Sequence, residues 1–189
     1  MELTPELYLG RTSKVGQTSL TNMFAANATK PNATIKAARA ALKANPRTEI
    51  HIFARNPWER LVSNFHYFNG RTNQGGWPNS YGTAKVSWET FVDNMALRAN
   101  NHHWAPQIDL HGGTDNFLPT HVWRFDDFER VCREYLGFNR EIEVRNASKR
   151  ENRLPVDPDY RNAELLEFFA DDWNLYLNAR FPGQDQETT

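Results

Sequence analysis

The sequence predicts an α/β fold in which a mostly parallel central sheet lies between layers of helices. Short apolar runs rich in β-branched and aromatic residues alternate with helical patterns early in the chain, which is typical of parallel strands joined by crossover helices. A length of 189 residues suits one domain with its own core. We therefore expect a single domain over residues 1–183 and a disordered tail over residues 184–189.

Two strands and three helices are predicted in the first half of the chain. The strands are short apolar runs bounded by polar residues. The helices carry apolar side chains three and four residues apart, with Pro46 ending the second helix and Pro57 opening the third. In chain order the elements are a strand over 7–10, a helix from about 18, a helix over 33–45, a strand over 49–54 and a helix over 57–68.

The second half of the chain opens with a stretch rich in Gly, Asn, Pro and Ser, which predicts a long loop. Ser87 is suited to cap the next helix. Asp126 and Glu129 predict a capping box for a later helix, which Gly137 terminates. The elements are a loop over 69–85, a helix from 87 to about 97, a polar connection over 102–113, a helix over 127–136 and a helix over 159–178.

Composition limits the classes of partner. With 22 basic and 23 acidic side chains the net charge is -1, so the overall balance does not favour nucleic acid or an anionic membrane. A single cysteine, Cys132, cannot form an internal disulfide, and we expect it to be buried. The sequence begins without a basic leader or a long apolar stretch, so we expect a cytoplasmic protein or a chain whose N-terminus has been trimmed.

Residues 13–20 (SKVGQTSL) form a strand-to-helix junction suited to a phosphate-like anion. The N–H groups and positive dipole end of a helix N-terminus attract an anion. Lys14, Thr18 and Ser19 can add donors there, and Gly16 permits an unusual backbone turn. Taken alone the signal is weak, because the spacing G-x-x-x-x-G-K-[ST] of a nucleotide-triphosphate loop is incomplete.

Residues 55–63 (RNPWERLVS) form a second junction of the same kind. Arg55 follows the second predicted strand, and its planar fork suits a terminal phosphate. Ser63 lies two helical turns further on and could reach the same group. Arg60 favours a structural ion pair, with Glu59 and Asp93 as available partners.

Together the two junctions resemble the nucleotide-binding elements of sulfotransferases that use 3′-phosphoadenosine 5′-phosphosulfate (PAPS). In that family a lysine turn holds the 5′-phosphosulfate, and an Arg…Ser segment holds the 3′-phosphate. Residues 103–107 (HWAPQ) are similar to the His-Trp-x-Pro-Gln segment of the branch that contains many carbohydrate sulfotransferases. Residues 122–128, 136–138 and 145–150 follow in the order and spacing of the family.

The resemblance implies a P-loop NTPase-like sulfotransferase fold. It implies an enzyme that moves a sulfuryl group from PAPS to a hydroxyl or amine, with a carbohydrate as one acceptor class and 3′-phosphoadenosine 5′-phosphate (PAP) as product. No metal is expected, because sulfuryl transfer needs none. The resemblance also implies that Lys14 stabilises the negative charge that develops on the leaving phosphate. The expected nucleotide contacts are Lys14, Val15, Gly16, Gln17, Thr18, Ser19, Arg55, Ser63, Asn146, Ser148, Lys149 and Arg150.

Two histidines join Lys14 as catalytic candidates, because an acceptor hydroxyl needs a general base. His66 lies in SNFHYF, which is similar to the Ser-Tyr-Tyr-His-Phe stretch of small-molecule sulfotransferases. His103 is the second candidate, and the sequence leaves the choice open. Some family members use a histidine earlier in the chain, where this sequence offers only His51, inside a predicted strand.

Three other interpretations have less support. A small P-loop-type kinase is disfavoured by the incomplete loop spacing. A non-catalytic nucleotide- or glycan-binding module is disfavoured because Lys14, Arg55 and Ser63 are all present. A metal site built from His102, His103 and His111 is disfavoured because the spacing fits no common zinc pattern. The oligomeric state is left open.

Overall fold

Four parallel strands form one sheet at the centre of the described chain. A computed structural model of the protein describes residues 7–10, 12, 17–24, 30–69, 87–93, 103–142 and 163–180. The strands are β1 (Leu7–Gly10), β2 (Lys30–Ala33), β3 (Glu49–Ala54) and β4 (His121–Arg124), and they lie in the order β2-β1-β3-β4. Within these residues the predicted α/β class with a parallel sheet is confirmed.

The α-helices lie on both sides of this sheet. In the described residues they are α1 (Gln17–Phe24), α2 (Ile35–Ala44), α3 (Pro57–Asn69), α4 (Trp88–Asp93), α5 (Phe128–Glu134), α6 (Ala163–Phe168) and α7 (Ala170–Leu177). None of the described helices has the length and apolar character needed to cross a bilayer.

The strand order contains a switch point between β1 and β3. These neighbours pair in parallel, with Leu9 opposite His51. From β1 the chain passes through α1 to β2 on one side, whereas from β3 it continues to β4 on the other. Helix α1 packs on the sheet face that carries Leu9 and Phe53, and α2 packs on the opposite face with Tyr8 and Ile50. Right-handed crossovers in opposite directions place helices on opposite faces.

The buried core is dominated by large rings. Trp104 and Trp123 are each 1% exposed. Trp104 joins the cluster between α3 and the C-terminal helices, and Trp123 joins the cluster under α1 and α5. Cys132 is fully buried beside Trp123, as predicted, and burial raises the pKa of its thiol to about 12. The thiol is therefore protonated at neutral pH.

The bounds of the first strand and of the strand over residues 49–54 agree with the sequence prediction. Both are strongly apolar and interior to the sheet. Ser87 caps α4 as expected, since its Oγ accepts from the N–H of Thr90 at 3.1 Å. Most of the predicted loop over 69–85 and the whole of the predicted tail over 184–189 lie outside the described residues.

The predicted helix over 33–45 begins two residues late. Residues 30–33 pair with β1 as a parallel edge strand, and Thr34 caps the helix that follows. The oxygen Oγ1 of Thr34 accepts from the N–H of Ala37 at 3.2 Å. This strand was not predicted, because Pro31 disfavours a central strand, although proline is tolerated at a sheet edge.

The predicted capping box at Asp126 is wrong. A 3₁₀ turn over Phe125–Asp127 precedes α5, and the N-cap residue Asp127 makes no side-chain cap hydrogen bond. Asp126 instead accepts a 2.7 Å hydrogen bond from the hydroxyl of Tyr176 on α7. Gly137 ends this helical region as predicted, with a left-handed φ of 68°.

The last predicted helix, over 159–178, is divided in the structure. Helices α6 and α7 are separated at Phe169, although its carbonyl still accepts from the N–H of Trp173 at 2.9 Å. Residues 159–162 lie outside the described part. Leu165 and Phe169 are buried, and so is Asp172, whose helical spacing places its carboxylate on the same buried face.

Candidate active site

The two predicted anion-binding junctions leave the sheet at the same edge. Strands β1 and β3 are parallel neighbours, so their carboxyl ends lie side by side, about 4.8 Å apart. The lysine turn follows Gly10 at the end of β1, and Arg55 follows Ala54 at the end of β3. Open parallel sheets bind ligands in the crevice at such a switch point. The fold thus brings the starting points of both junctions together.

Only part of the predicted nucleotide site falls within the described residues. Gln17 and Thr18 open α1, and Ser19 in its first turn is 5% exposed. The expected contacts outside the described residues are Lys14, Val15, Gly16, Asn146, Ser148, Lys149 and Arg150.

A buried histidine supports the end of β1, where the lysine turn begins. Thr12 is fully buried, and its Oγ1 lies 2.6 Å from Nε2 of His111. A Cβ atom on Gly10 would lie 2.5 Å from Cγ2 of Ile52 and 3.0 Å from Cε1 of His111. Only glycine allows this close approach of the ring to the strand. His111 therefore fixes the chain two residues before Lys14.

The side chain of Arg55 is held on two sides. Its Nε lies 3.5 Å from Oε2 of Glu59, and its guanidinium carbon lies 5.2 Å from the ring centroid of Phe125. The side chain is 17% exposed. A guanidinium has five N–H donors, so an ion pair through Nε is compatible with phosphate binding through the rest of the fork.

Helix α3 presents the other site candidates on the same side. Glu59, Ser63 and His66 follow one another at spacings of four and three residues and therefore lie along one face of α3. Arg55 precedes this helix, and its Nε lies 3.5 Å from Oε2 of Glu59 at the start of that face. Glu59, Ser63 and His66 are partly exposed in the structure. The opposite face is buried in the aromatic core and carries Trp58, Leu61, Val62 and Phe65. The helix therefore groups Ser63 and His66 with Arg55.

The amide of Gln107 bonds to both backbone groups of Arg55. Its Oε1 accepts from the N–H of Arg55 at 2.9 Å, and its Nε2 donates to the carbonyl of Arg55 at 2.8 Å. Gln107 is fully buried. Asp172, also fully buried, accepts through Oδ2 from the backbone N–H and from Nε2 of Gln107, at 2.7 and 3.3 Å. Oδ1 of Asp172 accepts from the N–H of Ile108 at 3.0 Å.

Arg60 supplies a buried positive charge to this network. Its Nη1 lies 3.9 Å from Oδ2 of Asp172, and its Nη2 donates to the carbonyl of His103 at 3.2 Å. Burial lowers the pKa of Arg60 to about 10, so the group stays charged at neutral pH. Burial raises the pKa of Asp172, whereas Arg60 and the donors of Gln107 and Ile108 oppose that rise. A structural ion pair is confirmed for Arg60, but Asp172 was not among its predicted partners.

The His-Trp-x-Pro-Gln segment has a structural role in the described residues. Residues 103–113 form a connection of turns with a short 3₁₀ helix over Asp109–His111, and Trp104, Gln107 and His111 within it are buried. The carbonyl of His103 accepts from Asn64 on α3 as well as from Arg60. The segment thus joins the start of α3 to α7. His103 as a whole is partly exposed, next to α3.

One cluster in the described residues has the composition of a metal site. Ligand atoms of Glu49, His51 and His121 lie within 4.8 Å of one another. However, the rings of His51 and His121 stack at 4.2 Å and 13°, so their in-plane lone pairs run side by side and do not converge. Trp123 donates to Nδ1 of His51 at 2.9 Å, and Nε2 lies 3.0 Å from Glu49. Neutral His51 then carries its proton on Nε2, so the cluster suits a hydrogen-bonded chain better than a cation.

We predict that two buried histidines weaken the fold in mild acid. Burial lowers the pKa of His51 to about 4 despite its bond to Glu49, and burial with the nearby charge of Arg60 lowers the pKa of His111 to about 4. The unfolded chain then binds more protons below about pH 6.5, so stability that is present above that pH is lost as the pH falls towards 4. Each histidine should cost about 2 kcal/mol between pH 7 and pH 5.

Urea unfolding of the wild type and of His111→Asn at both pH values checks this prediction. The variant removes one titrating group, so its loss of unfolding free energy between pH 7 and pH 5 should be smaller by about 2 kcal/mol. An identical pH dependence in the two proteins would contradict the assignment to His111.

Comparison with known protein families identifies the family of this chain. A sequence model described as the sulfotransferase family matches residues 4–176 of the 189. The chain therefore belongs to the sulfotransferase family, and the match includes the lysine turn, the Arg55 junction and the His-Trp-x-Pro-Gln segment. No curated protein and no solved structure gives a significant match. The family defines a transferase that acts on sulfuryl groups.

The buried supports of the site were missed by sequence reasoning. Thr12 and His111 are 99 residues apart, and Gln107 and Asp172 are 65 apart. No local pattern marks such pairs in a single sequence. The available signal was the HWAPQ segment itself, whose glutamine carries a donor and an acceptor within a largely apolar run.

Proposed function

We propose that the protein transfers the sulfuryl group of PAPS to a hydroxyl or amine of an acceptor, with carbohydrates as the first acceptor class to test. One observation carries the proposal: the lysine turn and Arg55 start from adjacent carboxyl ends at the switch point of a parallel sheet. Two phosphate sites on neighbouring strands suit a nucleotide with phosphates at both its 5′ and 3′ positions.

The donor nucleotide is proposed to bridge the two junctions. Lys14 and the start of α1 bind the 5′-phosphosulfate, with contacts from residues 15–19. Arg55 and Ser63 bind the 3′-phosphate from the end of β3 and the exposed face of α3. The late polar loop adds Asn146, Ser148, Lys149 and Arg150.

In the proposed reaction an acceptor oxygen attacks sulfur and the bond from sulfur to the bridging oxygen of the 5′-phosphate breaks. The electron pair of that bond passes to the leaving phosphate, so PAP departs with increased negative charge. Lys14 stabilises this charge, and the protein otherwise aligns donor and acceptor, as in phosphoryl transfer. The chemistry requires no metal ion.

The acceptor proton passes to a general base in this scheme, and His66 and His103 are the proposed candidates. His66 shares an α3 face with Ser63, whereas the carbonyl of His103 bonds to Arg60 on an adjacent face. Variants His66→Ala and His103→Ala, assayed for sulfuryl transfer across pH, distinguish the two. Loss of the acidic limb of the pH–rate profile identifies the base.

Calorimetry with PAP on the wild type and on Arg55→Ala tests the proposed donor. We expect PAP to bind the wild type, and we expect the variant to bind about 10- to 100-fold more weakly because charge-assisted hydrogen bonds are lost. Arg39→Ala is the matched control, since Arg39 is an exposed arginine on α2. Absence of binding to the wild type would overturn the proposal.

Two experimental outcomes would indicate a function other than sulfuryl transfer. Magnesium-dependent hydrolysis of ATP, without binding of PAP, would indicate a kinase-like enzyme. Tight PAP binding with no release of PAP from PAPS in the presence of simple sugars, phenols or amines would indicate a non-catalytic binding module.

A further inference from the structure

We propose that Gln107, held by Asp172, is a positioning residue that fixes Arg55 for the 3′-phosphate and so sets the preference for 3′-phosphorylated nucleotides. The inference rests on the proposed function. It concerns two residues that do not contact the nucleotide themselves, and it assigns a role to the glutamine of the HWAPQ segment.

The backbone of Arg55 lies just beyond the regular hydrogen bonds of the sheet. The ladder between β3 and β4 ends at the pair Ala54 and Arg124, so Arg55 lies one residue past the regular sheet. Buried backbone groups need partners, and outside a ladder those partners must come from elsewhere. Gln107 supplies both, through Oε1 to the N–H and Nε2 to the carbonyl of Arg55. The amide thus continues the sheet by one residue, at the residue that carries the guanidinium.

Asp172 defines the orientation of the Gln107 amide. The two ends of a glutamine amide are interchangeable in shape, and only its partners define which end donates. A carboxylate only accepts, so the end of Gln107 that lies 3.3 Å from Oδ2 of Asp172 must be the NH₂ group. The remaining oxygen then faces the N–H of Arg55. Asp172 therefore selects the single orientation in which both bonds to Arg55 form.

The network formed by Gln107, Asp172 and Arg60 is buried and rigid. Gln107, Asp172 and Arg60 are each at most 1% exposed, so water does not compete for their bonds. The N–H of Ile108 and the charge of Arg60 fix the carboxylate from two further directions. A fully satisfied buried network of this kind holds one geometry. Arg55 is thereby anchored at its backbone, while Phe125 and Glu59 contact its side chain.

The functional consequence follows from the length of the arginine side chain. A small rotation of its backbone moves the guanidinium at the far end by a larger distance. Bidentate recognition of a phosphate depends on geometry, and displacement by about 1 Å can cost orders of magnitude. Loss of the Gln107 bonds should therefore weaken binding of the 3′-phosphate and leave contacts to the rest of the nucleotide in place.

Gln107→Met tests this by calorimetry with two probes, PAP and 5′-AMP, which differ only in the 3′-phosphate. We expect the Kd of 5′-AMP divided by the Kd of PAP to fall by about tenfold or more relative to wild type, because PAP binds more weakly while the affinity for 5′-AMP changes little. Thr48→Val is the control. It removes another buried hydrogen bond, from Oγ1 of Thr48 to the carbonyl of Ala41 at 3.3 Å, away from Arg55, and should leave the ratio unchanged.

The outcomes separate this inference from the proposed function. A wild type that binds PAP no better than 5′-AMP overturns the proposed function itself. A wild type that discriminates, with a Gln107→Met variant that discriminates equally well, overturns only the role of Gln107. Equal loss of both affinities in a folded variant also overturns it, because that result marks a purely structural residue. If Gln107→Met does not fold, Gln107→Asn, which keeps the amide but shortens its reach, is judged by the same ratio.

Discussion

Replacing Lys14 with alanine is expected to lower turnover by about 100- to 1,000-fold while changing PAP affinity much less. The ammonium is proposed to meet charge that grows on the bridging oxygen only as the bond to sulfur breaks. An interaction made mainly in the transition state affects the rate more than ground-state binding. Lys14 therefore combines a small effect on affinity with the largest expected effect on catalysis.

The measurement combines two readouts on the same variant. Turnover is the release of PAP from PAPS in the presence of an acceptor that the wild type uses, and affinity is the dissociation constant for PAP by calorimetry. Lys36→Ala, an exposed lysine on α2, is the control and should change neither quantity. Equal losses of turnover and affinity in Lys14→Ala would contradict the transition-state role.

Replacing Asp172 with asparagine is expected to destabilise the fold by about 3 to 5 kcal/mol. The change leaves the buried guanidinium of Arg60 without its compensating charge, since its Nη1 lies 3.9 Å from Oδ2 of Asp172. It also weakens the acceptor that serves the N–H groups of Gln107 and Ile108. Removing one member of a buried ion pair is among the few point changes with effects of this size.

Urea unfolding of the variant at pH 7 provides the test, and the neighbouring Asp171→Asn provides the control. Asp171 is exposed on the same turn of α7, so its variant should stay within about 0.5 kcal/mol of wild type. The double variant Arg60→Met with Asp172→Asn removes the buried cation as well and should recover part of the loss. A loss no larger in Asp172→Asn than in Asp171→Asn would refute the account.

The regular elements were predictable where the local pattern was strong. The run EIHIFA gave the bounds of its strand correctly because it is interior, apolar and rich in β-branched and aromatic residues. The pairing of residues 30–33 was not predictable, since the sequence around Pro31 has no strand periodicity and the strand is defined by its pairing with β1. At Asp126 the sequence has a capping pattern, but its carboxylate accepts a hydrogen bond from Tyr176 instead of capping the helix.

The site divides in the same way. Arg55 and Ser63 could be proposed from sequence, because phosphate-binding residues lie at fixed offsets from the strand and helix that present them. Gln107 and Asp172 could not, because a hydrogen bond between residues 65 apart leaves no trace in a local pattern. Asp172 lies on the same helix face as the buried Leu165 and Phe169, and its hydrogen bonds allow a carboxylate to be buried there.

Asp172 and its partner Gln107 are 65 residues apart in the sequence, which has a consequence for fragments of the enzyme. All the nucleotide contacts proposed above lie before residue 151, so a polypeptide ending there would contain every proposed ligand. Such a polypeptide would lack α7 and with it the carboxylate that orients Gln107. The minimal unit for nucleotide recognition is thus longer than the set of residues that touches the nucleotide. Truncations from the C-terminal side should weaken recognition of the 3′-phosphate before they remove any contact residue.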